Sequence, residues 1–214
     1  MSANYIEVKN FTKVIDKRTV LDKVSVQIEK NSIVGFVGKN GSGKTMLFRA
    51  ISGLIKPTDG EIMIDGKLLG KDISFPPSLG IMIENVGLWS YMTGFEALRL
   101  LASINNKISD KEIENAISRV GLEPKDKKKF GKYSLGMKQR LVIAQAIMES
   151  PDLLILDEPT NALDADGVTL IHELLLEERA KGATILIASH SSEDIARLCE
   201  KTYYMHEGRI KAES

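Results

Sequence analysis

A largely parallel α/β core is the fold this sequence predicts, and three runs of residues predict it. NSIVGFV, residues 31–37, ends in an apolar stretch suited to a buried strand, and MLFRAIS, residues 46–52, reads as helix directly afterwards. LLIL at 153–156 and ATILIA at 183–188 repeat the buried-strand pattern on either side of a helical segment at 168–180. Strands that alternate with helices pair in parallel, because each crossover returns the chain to the same end of the sheet.

The remaining elements follow in order. Residues 5–14 and 24–28 carry short β-rich runs with Asp16-Lys17-Arg18 as a turn between them, and 61–64 and 79–83 read as further strands around Asp65-Gly66. Pro57-Thr58-Asp59-Gly60 is a turn. This opening region is expected to form an antiparallel β region about the loop at residues 38–45. From Thr93 the spacing becomes helical in GFEALRLLASI, and Ser109-Asp110-Lys111-Glu112 starts a second helix before IENAISRVGL. The helices between about Thr93 and Met148 are expected to be a subdomain inserted into a single domain spanning residues 1–214. EPKDKKKFGK, residues 123–132, is a charged loop whose lysines read as a solvated surface, with an acidic partner or phosphate as the alternative. A short helix at 195–198 and a hairpin about Glu207-Gly208 close the chain.

Composition narrows the function classes. Lys plus Arg equals Asp plus Glu at 29 each, so no basic field calls for nucleic acid. The single cysteine, Cys199, excludes an intrachain disulfide and fits a reducing cytoplasm. No apolar run approaches a membrane span, and the first residues do not resemble a signal peptide, so action at a membrane is expected to need a separate spanning partner.

The loop at residues 38–45 reads GKNGSGKT and meets G-x-x-x-x-G-K-[ST] at every fixed position, between a strand and a helix. Gly38, Asn40, Gly41, Ser42 and Gly43 are expected to turn backbone N–H groups toward a polyphosphate, with the positive end of the following helix aimed at the same point. Lys44 would reach the β and γ phosphates, and the Thr45 hydroxyl would hold Mg²⁺. LLIL then delivers Asp157 and Glu158 at the carboxyl end of a buried strand. Asp157 suits the metal shell, and Glu158, one residue further, suits polarising a water in line with the γ phosphate. His190, after the strand-like ILIA, can reach the γ phosphate or orient that water, whereas His172 and His206 read as packing or surface residues. No spacing of His, Cys, Asp and Glu supports zinc.

With GKNGSGKT, LLILDEP and His190 in place, the chain resembles the nucleotide-binding subunit of an ATP-binding cassette (ABC) transporter over nearly its whole length. Its most specific mark is YSLGMKQR at 133–140, similar to the signature segment that in this family closes over ATP held by a partner subunit. Ser134 and Gly136 match that segment, while Leu135 and Met137 stand where the common LSGGQ pattern has glycine and glutamine. The form looks like that of antibiotic and bacteriocin-peptide export or self-protection ATPases, which implies an exporter powered through a separate membrane permease. The resemblance further assigns Asp164 to communication across a dimer, with two identical chains as the expected pair. It places Glu84 where the family often has a magnesium-sensing glutamine, Ile15 where it places an adenine-stacking aromatic, and Trp89 and Tyr91 beside the groove that receives the permease. Phe11, near Ile15, falls on the core side of the strand pattern, and the aromatic loop at 89–91 fits packing as well as an interface. The competing reading is a soluble ABC-type ATPase of DNA repair or the ribosome. Against it stand the absence of a long coiled coil between 93 and 148 and the presence of one phosphate loop.

Overall fold

The computed structural model describes residues 4–83 and 87–211. Strands β1 (Asn4–Ile15) and β2 (Arg18–Glu29) form a long antiparallel hairpin, with β4 (Asp59–Ile64) on the other side of β1 and β5 (Lys67–Leu68) beyond it. Asp16 and Lys17 link the hairpin with φ of 46° and 64°, the backbone that matches the twist of two paired strands. Ile6 and Val8 are buried in β1 ahead of a bulge between Val8 and Phe11. That bulge puts Phe11 into the core at 1% exposure and leaves Asn10 outside, where its N–H donates to Ser25 Oγ. The expected turn at 57–60 is shorter than its composition implies, because Asp59 and Gly60 already belong to β4.

The second sheet runs in the order β10-β9-β3-β8-β7-β6, from β3 (Ile33–Val37), β6 (Leu79–Met82), β7 (Leu153–Asp157), β8 (Thr184–Ala188), β9 (Lys201–His206) and β10 (Arg209–Lys211). Neighbours from β9 to β6 pair in parallel, and β10 turns back antiparallel through Glu207 and Gly208. Every residue of β8 is buried, as is Leu153–Leu156 of β7, which accounts for the uninterrupted apolar runs. The strand order matters most for chemistry. It sets β3, β8 and β7 side by side, so the segments leaving their carboxyl ends emerge together.

Helix α1 (Lys44–Ile51) packs Leu47, Phe48 and Ile51 between the two sheets, with the Phe48 ring edge-on to Phe36 at 5.3 Å. Between β6 and β7 lie α2 (Gly94–Asn105), α3 (Asp110–Arg119) and α4 (Leu135–Ile147), which share a second apolar cluster with α5 (Ala165–Ala180). Both expected helix starts are capping boxes: Thr93 with Glu96, and Ser109 with Glu112. The short α6 (Ser192–Leu198) follows β8. The architecture is therefore the expected one, with an antiparallel N-terminal sheet, a mostly parallel core and inserted helices. Among the described residues no helix is long and apolar enough to cross a membrane.

Candidate nucleotide site

The loop after β3 bends around a cleft of about 670 Å³ lined by residues 40–46, Asp157, Glu158 and Gln139, among others. Helix α1 begins at Lys44 rather than at Met46, so Lys44 and Thr45 both sit in its first turn. Its N-cap is Gly43 at φ 108°, a conformation that residues with a Cβ rarely adopt, and no side chain caps the turn. The first-turn N–H groups, which have no carbonyl one turn back within the helix, are thereby left for a ligand at the positive end of the helix. Gly38 is required for a different reason. A Cβ there would strike the Met205 carbonyl oxygen and Ser42 Oγ, so its role is close approach.

Charged groups converge on this loop. Lys44, only 7% exposed, donates from Nζ to the Gly38 carbonyl at 2.7 Å. Thr45 Oγ1 donates to Asp157 Oδ2 at 2.5 Å, joining the phosphate loop to the end of β7. A hydroxyl and a carboxylate side by side are the hard oxygen donors that Mg²⁺ favours, and the buried Ser42 Oγ lacks a hydrogen-bond partner in the cleft wall. The residues present thus fit both a polyphosphate and its cation.

Glu158 is held from several directions. Its φ of 53° is left-handed, an uncommon state for a residue with a long side chain. Its N–H donates to the Ala188 carbonyl at 2.8 Å, and its own carbonyl accepts from Gln139 Nε2 at 2.8 Å. Glu158 Oε2 meets His190 Nδ1 at 2.7 Å and accepts from the His190 N–H at 3.3 Å. The strand order thus unites Lys44, Thr45, Asp157, Glu158 and His190 from three separate stretches of chain.

Other expected site residues lie elsewhere. Ser134 caps α4, accepting from the Met137 N–H at 3.2 Å, and neither it nor Gly136 lines the cleft. The end of α4 that they form leaves Leu135 64% exposed. Asp164 caps α5 through the Gly167 N–H at 2.9 Å. Ile15 is 39% exposed at the tip of β1 and does not line the cleft, whose wall there is Arg18, Thr19 and Val20 facing Glu207 and Gly208. Trp89 and Tyr91 are exposed at 37% and 67%. Glu84 lies outside the described residues.

Two contributions escaped the sequence reading. Gln139, within YSLGMKQR, reaches the Glu158 and Pro159 carbonyls, a contact for which helical spacing alone gives no signal. His172, expected to pack or lie at the surface, is fully buried with Nε2 2.8 Å from Asp194 Oδ1.

Residues 21–161 match the model of a family described as ABC transporter. The chain belongs to the ABC transporter ATP-binding family. It is 55% identical, over 96% of its length and 94% of the relative's, to the uncharacterized ABC transporter ATP-binding protein YybJ of Bacillus subtilis. Identity to the bacitracin transport ATP-binding protein BcrA of Enterococcus faecalis is 40%, covering 97% of this chain and 68% of that one. Its fold superposes with a TM-score of 0.87 on the dimeric structure of MJ0796, a bacterial ABC transporter cassette, at 24% identity over 98% of this chain and 97% of the other. As an ABC ATP-binding subunit, the chain is an ATPase of the transport-coupled type.

Proposed function

We propose that two copies of this chain close over ATP and drive a separate integral membrane permease that exports an antibiotic, a peptide or a lipid-like molecule, with the subunit held at the cytoplasmic face through that permease. The observation that carries the reading is the separation of the two halves of the site. The phosphate loop opens onto a cleft that Ser134 and Gly136 of the same chain do not line, while the end of α4 bearing them is turned outward. A second copy supplies that end, and the dimeric form of a cassette with the same fold supports the arrangement. Bacitracin transport by a relative supports the cargo class.

In the closed pair, the backbone from Gly38 to Thr45 and the Lys44 ammonium bind the phosphates. Thr45 and Asp157, with Glu84, would hold Mg²⁺, which neutralises charge on the phosphate oxygens when bound. Glu158 orients a water so that its oxygen attacks the γ phosphorus as the bond to the β-phosphate oxygen breaks, and the Glu158 carboxylate accepts the proton that water releases. His190 holds Glu158 and faces the γ phosphate, ADP and phosphate leave, and the pair reopens. Ile15 lies opposite Arg18, a cleft residue, at the tip of the hairpin, and would meet the base from there. Asp164 lies where the copies meet and links the two sites. Trp89 and Tyr91 face the permease, and the 93–148 helices move toward it as a subdomain. No nucleic acid takes part.

The test is Glu158→Gln, which keeps shape and removes the proton acceptor. It should bind ATP, hydrolyse at least a hundredfold more slowly, in line with the typical contribution of a general base, and accumulate as dimer in light scattering. Hydrolysis at the parent rate, or a monomer at saturating ATP, would overturn the proposal.

A further inference from the structure

Asp194 is 2% exposed, and its carboxylate gathers side chains from three separate parts of the chain. Thr160 Oγ1 donates to Oδ2 at 2.6 Å, Ser189 Oγ donates to the same oxygen at 2.8 Å, and His172 Nε2 lies 2.8 Å from Oδ1. Thr160 follows Glu158 by two residues. Ser189 immediately precedes His190, and Ser191 is drawn into the same network, its N–H donating to Ser189 Oγ at 3.0 Å and its hydroxyl accepting from the Asp194 N–H at 3.2 Å. Both neighbours of His190 are therefore fixed from beneath, while His190 itself is two-thirds exposed with its ring against Glu158.

We propose that Asp194 is a positioning residue for the hydrolytic site: its buried carboxylate ties the His190 loop to the Glu158 loop and so sets the contact between His190 and Glu158. This rests on the reading of that pair as the hydrolytic one, and goes beyond it in naming what holds the pair together. A buried carboxylate is costly as a device for stability alone, since well-packed apolar residues of similar volume often serve equally well or better. The cost here includes His172, whose Nδ1 is buried without a partner. What the network provides that apolar packing does not is direction. Hydrogen bonds lock the Ser189 hydroxyl and, through it, the Ser191 backbone into one arrangement relative to Thr160. Asp194 touches neither substrate nor the reacting atoms, and its effect passes through the loop carrying His190.

Thr160→Val and Ser189→Ala each remove a donor with little change of volume, and Asp194→Asn changes the hub itself. The full-length chain with ¹⁵N-labelled histidine gives a direct view of the His190 ring, with His206 as an internal reference. In Thr160→Val and Ser189→Ala, the His190 ring resonances should move toward those of a solvated imidazole while those of His206 stay unchanged. ATP kcat should fall about tenfold, with ATP affinity within twofold of the parent. His190 resonances unchanged in both variants would overturn the proposal. So would a joint loss of melting temperature and ATP affinity in all three variants, which would mark the network as structural only. If His190 shifts while kcat stays at the parent value, positioning stands and the catalytic reading of the Glu158–His190 pair fails.

Discussion

Gln139→Leu isolates a contact on which the geometry of Glu158 depends. Gln139 reaches from α4 to the carbonyls of Glu158 and Pro159, at 2.8 and 3.2 Å. Leucine keeps most of the side-chain volume and removes both donations. A neutral hydrogen bond contributes about 0.5–1.5 kcal/mol net, so the loss should be about 1–3 kcal/mol. For a domain of this size, about 2 kcal/mol corresponds to a fall of about 4–8 °C in melting temperature. The functional effect should exceed the effect on stability. Glu158 sits at φ 53°, a state that costs of order 1–3 kcal/mol and persists only while its surroundings hold it. Releasing its carbonyl weakens that hold, and the carboxylate leaves the position set by His190. Differential scanning fluorimetry and steady-state ATPase on the same preparation measure both quantities. The expected result is a drop in kcat of about tenfold with ATP affinity nearly unchanged, a loss of about 1.4 kcal/mol at the transition state. A variant that melts several degrees lower yet hydrolyses ATP at the parent rate would refute the link between Gln139 and the placement of Glu158.

Two further outcomes test other parts of the molecule. Burial, with the nearby Asp194 and Glu200 carboxylates adding to it, pushes the Cys199 thiol up to about 12. At pH 8 the native chain should therefore react with iodoacetamide about a thousandfold more slowly than the denatured chain, in which a free thiol titrates near 8.5. Because the fold favours the protonated form, this group's contribution to stability is complete below about pH 8.5 and is lost as pH rises toward about 12. Equal alkylation rates in native and denatured chain would contradict the burial. Gly80→Ala would drive a Cβ into the Ala146 carbonyl oxygen, with Leu154 Cδ2 at 2.7 Å and Pro151 Cγ at 2.8 Å. Overpacking against backbone should cost about 1–3 kcal/mol, and an unchanged melting temperature would disprove the tight seat of α4 on β6.

Local rules made much of this protein legible before its structure. GKNGSGKT between an apolar run and a helix is recognisable because every part of that loop's geometry is set by adjacent residues. Thr93-x-x-Glu96 and Ser109-x-x-Glu112 are legible for the same reason, since a cap and its partner are separated by a single turn. The boundaries were less secure. Helix α5 starts at Ala165 rather than Val168, because the Asp164 cap recruits a polar first turn that apolar periodicity does not register. The cleft wall at Arg18–Val20 was not legible either, since these residues and Glu207 meet only when β2 and the β9–β10 turn come together.

The sequence by itself determined that the chain grips a polyphosphate, that Asp157 and Glu158 end a buried strand, and that YSLGMKQR marks an ABC subunit. Those properties lie in short stretches, where bonded geometry and periodicity dictate the outcome. Only the tertiary structure decided that β8 lies between β3 and β7, bringing His190 to Glu158, and that Asp194 gathers Thr160, Ser189 and His172 beneath them. Strand order and buried polar contacts arise from the packing of the whole chain, where residues far apart in sequence satisfy one another's burial and hydrogen bonding, and no local pattern records which of them will meet.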